Sequence, residues 1–382
     1  MNIEQTHNQI QSGDMNLRSE KILPGNLVGD YALGPFQLEL EEDSGIISKF
    51  RIDAGIYKRN ILECICAVPA PMSCAYFQRI DPLSGIHYVV AASLAMEGIV
   101  SLDVPERAIH IRMVLMELER VRNHLNCLEK VAGILGHFPS KNYLMREKER
   151  ISDVFEIFCG SRMGFGAVCL GGVASDATDG WLFRVEKAIS AVELAMQELR
   201  IVLLDNPVYQ MRFRNLLPIS ATVALLNGLS GPNARAGGIA CDLRRDEPYL
   251  IYSQVMGKIG PTGGIHSGDG GARIEVRVSE ISDSIQLVKA LIQGLPKGNF
   301  VVRVGTGFSL IEGMGVSKVE GPKGQIRIEI HSHDSTHIDS LKVSNASKVL
   351  KDAFPVIFPG SLMEDVFLAL ATLDFYVSEV DL

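Results

Sequence analysis

Residues 106–129 read ERAIHIRMVLMELERVRNHLNCLE, and this stretch decides the fold class. Its apolar residues recur at steps of three and four positions, which is the period of a helix with one face in the core. Pro105 precedes the stretch, where the first turn of a helix tolerates proline. The apolar face comprises Ile111, Leu115, Leu118, Val121, Leu125 and Leu128, and the opposite side carries Arg112, Glu119, Arg122 and Asn126.

Further helices are predicted on both sides of this one. A second helix covers residues 140–158, with Ser140 as a candidate N-cap, and a third covers about 181–204. A fourth spans 279–293, where glycine and proline follow and stop it. A short, largely apolar helix is predicted at 362–372. The middle of the chain is therefore expected to be helical.

Strand patterns flank the helical region. Residues 36–41 alternate apolar and polar side chains, Asp43-Ser44-Gly45 supplies a turn, and residues 46–52 resume the extended pattern. Residues 325–330 alternate in the same way. This order predicts an α+β fold, with a core of long helices and small N-terminal and C-terminal β layers. We expect residues 1–30 to form a flexible N-terminal arm and residues 31–382 to form a single domain.

The composition excludes several functional classes. The 382 residues are 47% hydrophobic and 21% charged, as in an ordinary globular protein, and the net charge of -8 argues against a nucleic-acid-binding face. No apolar run reaches the roughly 20 residues that cross a bilayer, so we expect any membrane connection to run through another subunit. The seven cysteines include no Cys-x-x-Cys pair, which favours reduced thiols over a disulfide framework.

Three local patterns suggest sites of their own. Cys64-Ile65-Cys66 is too closely spaced for a zinc knuckle and is interpreted as an apolar strand or loop segment. His331, His333 and His337 have a spacing that a metal site could use, but the polar residues 334–336 between them favour a solvated loop. The glycine-rich segment 227–271 lacks Gly-x-Gly-x-x-Gly, so no dinucleotide site is predicted.

Two short elements become informative when they are taken together. Arg79-Ile80-Asp81-Pro82-Leu83-Ser84, taken alone, is an N-cap followed by the first turn of a helix that runs to Met96. Residues 373–382, LDFYVSEVDL, are by themselves an acidic tail on a core helix. The pair of elements, in this order and with helices between them, is the stronger observation.

Together the two elements resemble those of the nickel-iron hydrogenase large-subunit superfamily. Its hydrogenases have Arg-Ile-Cys-x-x-Cys near the N-terminus and Asp-Pro-Cys-x-x-Cys near the C-terminus, and these thiolates bind nickel and iron. The quinone-site subunit of respiratory complex I, its D-type subunit, has the same elements without the cysteines. This chain has Asp81 and Ser84 at the first pair and Tyr376 and Glu379 at the second. The resemblance implies a diverged member without the cysteines and without a metal.

The resemblance extends from about residue 34 to residue 382. Val-Pro-x-Arg-Ala occurs at 104–108, Glu-Leu-x-Arg and then His-Leu at 117–125, and Gly-x-Arg-Met at 160–163. Residues 226–244 contain Gly-Leu-x-Gly, Arg-Ala-x-Gly and Asp-x-Arg in the order of the complex I quinone-site subunit. The family positions marked by these motifs are Arg79, Arg120, His124, Arg162, Arg235, Asp242 and Arg244.

Of three family positions associated with the quinone headgroup, this chain keeps one residue type and replaces two. The family tyrosine three residues before Arg-x-Asp is retained as Tyr76, whereas Leu33 and Ile134 stand where the complex I relatives have a histidine and an aspartate. A histidine-aspartate pair can deliver protons during quinone reduction, and leucine and isoleucine cannot. The resemblance thus implies a quinone-type cavity at Tyr76, Leu33 and Ile134 that is apolar and poor at proton-coupled reduction.

The resemblance implies a core peripheral-arm subunit of a membrane-associated oxidoreductase complex similar to NADH:quinone oxidoreductase. Its expected partners, all as in complex I, are a B-type iron-sulfur small subunit, a companion chain of the C type and a membrane-embedded subunit, on the cytoplasmic side of the membrane. The chain itself is expected to bind no cofactor: quinone is a candidate substrate, and iron-sulfur clusters and NADH belong to partner subunits. One alternative is a redox-silent scaffold or coupling subunit of an energy-converting-hydrogenase-like or antiporter-like complex. The other is a free-standing soluble enzyme, for which the sequence offers no self-contained catalytic set.

Overall fold

The computed structural model describes residues 18–22, 36–55, 58–258, 267–305 and 307–382. The strands are β1 (Arg18–Ile22), β2 (Phe36–Asp43), β3 (Ile46–Ala54), β4 (Val168–Cys169), β5 (Gly172–Val173), β6 (Gly313–Gly321), β7 (Gly324–Ser332) and β8 (Ser340–Ser344). The α-helices are α1 (Ile61–Cys66), α2 (Ala70–Phe77), α3 (Gly85–Ile99), α4 (Glu106–Ile134), α5 (Phe138–Cys159), α6 (Asp179–Leu199), α7 (Pro207–Phe213), α8 (Ala221–Leu226), α9 (Gly231–Ala236), α10 (Leu243–Asp246), α11 (Tyr252–Val255), α12 (Gly270–Gln293), α13 (Ala346–Ile357) and α14 (Val366–Leu373). A π-helical turn follows α6 at Arg200–Leu204, and 3-10 turns lie at Met256–Lys258, Met363–Asp365 and Val377–Glu379.

Helix α4 lies at the centre of the core and packs against α5, α12 and α14. The predicted helix is confirmed and continues past residue 129 to Ile134. Its apolar face is buried as expected, but so is the side expected to be polar, including Arg112, Glu119 and Arg122. Burying charged side chains is costly unless each has a partner, so α4 depends on ionic contacts from neighbouring elements.

Two antiparallel sheets confirm the predicted β layers. Strands β1, β2 and β3 form one sheet, and the hairpin predicted at 36–52 is its β2–β3 pair. Strands β6, β7 and β8 form the other, which packs on α3. Pro322 and Lys323 form the two-residue turn between β6 and β7. Gly324 ends this turn with φ +138°, and a Cβ there would lie 2.6 Å from Ser230 Oγ, so the turn requires glycine.

The helix limits differ from the prediction at three N-termini. Helix α14 begins at Val366, four residues after the predicted start, because residues 363–365 form a 3-10 turn. Helix α5 begins at Phe138, because the His137 ring, not Ser140, caps it by accepting from the Ser140 amide at 3.4 Å. Helix α12 begins at Gly270, nine residues before the predicted start. Its Gly-Gly start is a poor helix former, but Asp269 caps it by accepting from the Ala272 amide at 3.0 Å.

The Cys64-Ile65-Cys66 segment was expected to be strand or loop, and that prediction is wrong. It forms the end of helix α1, whose buried Ile61 and Ile65 lie four positions apart on one face. Within the predicted N-terminal arm, residues 18–22 form β1, and the rest of the arm lies outside the described residues. In the ranges that the structure describes, no helix is long and apolar enough to cross a membrane.

Candidate functional site

The two elements singled out in the sequence lie against each other. Residues 79–84 connect α2 to α3, and the C-terminal turn Val377–Glu379 packs beside them. The Arg59 guanidinium holds the two together, since it donates to the Arg79 carbonyl oxygen at 2.6 Å and to the Ser378 carbonyl oxygen at 2.6 Å. The fold therefore brings the N-terminal and C-terminal elements to one place.

A lysine that the sequence analysis did not single out lies between these elements. Lys323 Nζ is 2.5 Å from Asp81 Oδ2 and 3.4 Å from Glu379 Oε2, and it is 4.0 Å from the centroid of the Tyr376 ring. All four side chains are buried, and we refer to them as the Lys323 cluster. Three of the four positions that correspond to hydrogenase cysteines, Asp81, Tyr376 and Glu379, thus surround an ammonium group. The fourth, Ser84, is buried at the start of α3, and its amide donates to the Asp81 carbonyl oxygen at 3.1 Å.

Helix α4 fixes the position of the β6–β7 turn that carries Lys323. The Arg120 guanidinium donates to the carbonyl oxygens of Glu320 at 2.6 Å and Gly321 at 3.1 Å, which are the last two residues of β6. These charge-assisted bonds hold the turn in place. The Lys323 cluster is therefore positioned by the same central helix that was predicted from the sequence.

The pKa values of the three charged groups in the cluster do not all shift in the same direction. Burial raises the pKa of Asp81, but the Lys323 ammonium outweighs burial and leaves that pKa below its ordinary value. Burial also raises the pKa of Glu379, and here Lys323 offsets only part of the increase. Burial lowers the pKa of Lys323, and the two carboxyl groups more than reverse it. Lys323 and Asp81 therefore form an ion pair, and Glu379 takes up a proton more readily than Asp81 does.

A second group of buried charges surrounds Glu117 in the middle of α4. Glu117 lies 3.3 Å from Arg120 Nε and 3.4 Å from Arg244 Nη1, and Arg244 lies 2.8 Å from Asp242. Burial raises the pKa of Glu117, but Arg120 and Arg244 outweigh it and lower the pKa to about 2. Burial likewise raises the pKa of Asp242, and Arg244 lowers it to about 2. Both carboxylates are thus ionised in the interior.

The buried network continues across α4, α9 and α12. His124 Nε2 lies 2.9 Å from Glu280 Oε2. The Arg235 guanidinium pairs with two carboxylates, Glu280 at 2.7 Å and Glu320 at 2.8 Å. Burial lowers the pKa of His124, so its ring is neutral near pH 7 although Glu280 opposes this. The network contains five of the family positions predicted from the sequence: Arg120, His124, Arg235, Asp242 and Arg244.

The other two family positions lie outside this network. Arg79 is exposed, and its guanidinium carbon lies 5.1 Å from the centroid of the Phe165 ring. The Arg162 side chain is 44% exposed and pairs with three carboxylates of α5: Glu149, Asp153 and Glu156. These two arginines therefore make their contacts at the surface and take no part in the buried network.

The predicted quinone-contact residues are placed only in part. Tyr76 is half-buried on α2, three positions before Arg79 and thus close along the chain to the Lys323 cluster. Ile134 is half-buried and is the last residue of α4. Leu33 lies outside the described residues. A cavity formed jointly by these three residues therefore stays a prediction.

The histidines near β7 do not converge. His333 is exposed, and its ring Nδ1 lies 3.2 Å from Asp339 Oδ2, while His337 Nδ1 lies 2.9 Å from Thr336 Oγ1. These contacts agree with the solvated-loop interpretation. Among the residues with described positions, no group of three or more His, Cys, Asp or Glu side chains is arranged to hold a metal ion.

Comparison with known proteins identifies the family. The family model described as "Respiratory-chain NADH dehydrogenase, 49 Kd subunit" matches residues 135–306 and 302–382. The chain belongs to this family. The matched part includes Lys323, Tyr376 and Glu379, so most of the Lys323 cluster lies within it.

Two relatives with known names align with most of the chain. The D-type subunit of the NADH-quinone oxidoreductase of Clostridium beijerinckii is 31% identical over 312 residues, which are 80% of this chain and 82% of that protein. The corresponding subunit of Bacillus thuringiensis strain Al Hakam is 29% identical over 351 residues, covering 91% and 94% of the two chains. A chain in the structure of the membrane-bound sulfane sulfur reductase, an archaeal respiratory membrane complex, has the same fold, with a TM-score of 0.89 and 24% identity. The similarity covers 96% of this chain and 98% of that one.

Lys323, the residue at the centre of the site, was not predicted from the sequence. Lys323 lies in Gly321-Pro322-Lys323-Gly324, a turn sequence directly before an alternating strand. The available signal was chemical: two acidic residues at positions that correspond to hydrogenase cysteines require a cation nearby when they are buried. Lysine and arginine residues in tight turns were the candidates for that cation.

Proposed function

We propose that this chain is a core peripheral subunit of a membrane-associated oxidoreductase complex, and that it shapes a quinone-type cavity beside an iron-sulfur subunit. The named relatives are NADH-quinone oxidoreductase subunits, which supports the class of complex. The observation that supports the proposal is the Lys323 cluster, which joins residues 79–84 to the C-terminal turn, and in this proposal that junction forms one wall of the cavity. Tyr76 lies three residues before that wall.

In this proposal the chain binds and orients the substrate, and partner subunits supply the electrons. The Tyr76 hydroxyl donates a hydrogen bond to a quinone carbonyl, and Ile134 offers apolar contact to the ring or tail. Iron-sulfur clusters and NADH are bound by partner subunits. The chain holds no nickel-iron centre, because Asp81 and Glu379 are hard oxygen ligands already paired with the Lys323 ammonium.

The surface supports a place within a larger assembly. Large apolar side chains are exposed along α7 and the π-helical turn, which contact each other, with Met211 79% and Ile201 73% exposed. Such residues mark contacts with other proteins when they recur on one part of a surface. The proposed partners are a B-type iron-sulfur small subunit, a C-type companion chain and a membrane-embedded subunit that keeps this chain peripheral on the cytoplasmic side.

The second candidate is a redox-silent scaffold or coupling subunit of a related antiporter-like or hydrogenase-like complex. The observation that favours it is Ile134, an apolar residue at the end of α4 where the resemblance to the complex I subunit implies an aspartate. A scaffold needs the Lys323 cluster for rigidity but needs no headgroup contact from Tyr76. The two functions therefore differ in what Tyr76 contributes.

The test is the Tyr76→Phe variant in the complex purified from native membranes. Losing one neutral hydrogen bond costs about 0.5–1.5 kcal/mol, so the KM for a short-chain quinone should rise roughly threefold to tenfold. Tyr143→Phe is the matched control, since its hydroxyl bonds Glu198 on the surface. Unchanged kinetics in Tyr76→Phe, or no quinone reduction by the wild-type complex, would support the scaffold.

A further inference from the structure

A second buried ion pair lies next to the Lys323 cluster, and the role proposed for that cluster does not require it. Lys130 Nζ lies 3.6 Å from Asp374 Oδ1, and both side chains are buried. Within the part of the chain that the structure describes, Lys130 Nζ and both Asp374 carboxylate oxygens have no hydrogen-bond partner. Three charged, buried atoms therefore face one another without a hydrogen bond.

Such an arrangement favours a small polar ligand. Buried polar atoms are nearly always hydrogen-bonded, and leaving a charged one without a partner costs several kcal/mol. A separation of 3.6 Å is too long for a direct bond but allows a water molecule to bridge the two groups from one side. A buried water needs two to four polar partners, and this pair offers three.

The position of the pair connects the Lys323 cluster to the end of α4. Lys130 Nζ lies 3.5 Å from the centroid of the Tyr376 ring, the same ring that Lys323 contacts. Asn126, which donates to the Tyr376 hydroxyl at 2.6 Å, precedes Lys130 by one helical turn, and Ile134 follows it by one turn. Residues four apart share a helix face, so Lys130 lies on the face that ends at Ile134.

We propose that Lys130 and Asp374 hold one or more ordered water molecules, and that this hydrated pair donates a proton toward the end of α4 at Ile134. The proposal rests on the quinone-type cavity of the proposed function. In the balanced step, a quinone takes two electrons from an iron-sulfur cluster of a partner subunit and two protons to become the quinol. The Lys130 ammonium gives one proton through the water and becomes a neutral amine, and solvent supplies the other proton and later restores the ammonium.

The electrostatics of the pair suit this role. Burial lowers the pKa of Lys130 to about 8, although Asp374 opposes the decrease. Burial raises the pKa of Cys127 to about 12 and the pKa of Tyr376 well above its ordinary value, so both stay protonated. The titratable and charged groups that face Lys130 are Asp374, Cys127, Tyr376, Lys323 and Asp81. Lys130 thus has a pKa close enough to neutral pH for its ammonium to give up a proton.

The first test is the double variant Lys130→Met with Asp374→Asn in the assembled complex. Replacing both partners avoids an unpaired buried charge, so the variant is expected to fold. Wild-type quinone reduction should slow above about pH 8, and the variant should lose roughly 100-fold in rate together with this pH dependence. The matched control is Lys289→Met with Glu193→Gln, a half-exposed ion pair on the surface. A double variant with the wild-type rate and pH profile would overturn the proposal.

The second test does not depend on activity. A structure of the complex at a resolution that shows solvent should contain water within hydrogen-bond distance of Lys130 Nζ and an Asp374 oxygen. If the structure shows no water between Lys130 and Asp374, the proposed hydrated site is wrong, even if the double variant reduces quinone slowly. A complex that reduces no quinone but contains the water would refute the proposed function and the proton donation, and it would leave the water site standing.

Discussion

Lys323 Nζ lies 2.5 Å from Asp81 Oδ2, although 242 positions separate the two residues in the sequence. The contact joins the β6–β7 turn to the segment before α3, and Glu379 adds the C-terminal turn. One ammonium thus stabilises the meeting of three distant segments. Because the groups are buried, the effect of removing any one of them should be large.

Lys323→Met should strongly destabilise the protein. The change leaves Asp81 and Glu379 buried without their cation, which costs about 3–5 kcal/mol in the free energy of unfolding. Urea denaturation of the purified chain measures this loss. Lys318→Met is the control, because Lys318 pairs with Glu247 on the surface and should cost about 0–1 kcal/mol. Adding Asp81→Asn to Lys323→Met should recover part of the stability, and equal losses in the two single lysine variants would contradict the prediction.

The free energy of unfolding should decrease in acid, partly because Glu117 becomes protonated. Its pKa is about 2 in the folded protein and 4.5 ordinarily, so the unfolded chain takes up the proton first as the pH falls. The stabilisation is fully present above the ordinary pKa and is lost between about pH 5 and pH 2, an effect on the order of 3 kcal/mol. Glu117→Gln should be less stable at neutral pH and should show a flatter decline in acid. Unfolding curves across this pH range measure the free energy of unfolding, and the exposed Glu63→Gln is the control. If the free energy of unfolding declines in parallel in the wild type and in Glu117→Gln, the prediction is wrong.

Nickel should be absent from the complex at stoichiometric levels. Nickel-iron chemistry needs thiolates, and this chain has Asp81, Ser84, Tyr376 and Glu379 at the corresponding positions, with the Lys323 ammonium among them. The measurement is elemental analysis of protein purified without a histidine tag, together with a hydrogen-uptake assay. One nickel per chain, or hydrogen uptake above that of the buffer, would show that this view of the site is mistaken.

Returning both protonatable groups should raise quinone reductase activity. Leu33→His with Ile134→Asp restores a pair that can deliver protons during reduction, and general acid-base catalysis contributes roughly 100-fold or more when it is well positioned. The assay is the initial rate with a short-chain quinone in the assembled complex, and each single variant is a control that has only half of the pair. A double variant no faster than the wild type would favour the scaffold function.

The sequence predicted the fold well because apolar spacing reports burial directly. The period of residues 106–129 predicted α4, and alternation predicted β2, β3 and β7. The same reasoning expected Arg112, Glu119 and Arg122 on a polar side, because spacing does not reveal whether a charged side chain finds a buried partner. The partners come from α3, the helix that precedes α4: Glu97 for Arg112 and His87 for Glu119.

The site was predicted less completely than the fold. Motif comparison identified Asp81, Tyr376 and Glu379, and the structure brings them together. It did not identify Lys323 or Lys130, because their roles depend on which segments meet in three dimensions. A lysine in a turn or on a helix has the same local pattern whether it is solvated or buried, so only the tertiary structure separates the two cases.

The long sequence separation within the Lys323 cluster sets an order of folding. Helices α4 and α5 are neighbours along the chain, with residues 135–137 between them, and can associate early as a local pair. The Lys323–Asp81 contact closes a far longer loop and brings a larger entropic cost before it contributes any favourable energy. A kinetic intermediate with native α4 and α5 but an open N-terminal and C-terminal junction is therefore expected. In that intermediate Asp81 and Glu379 would still be hydrated, and the dehydration of these carboxylates would be a late event of folding.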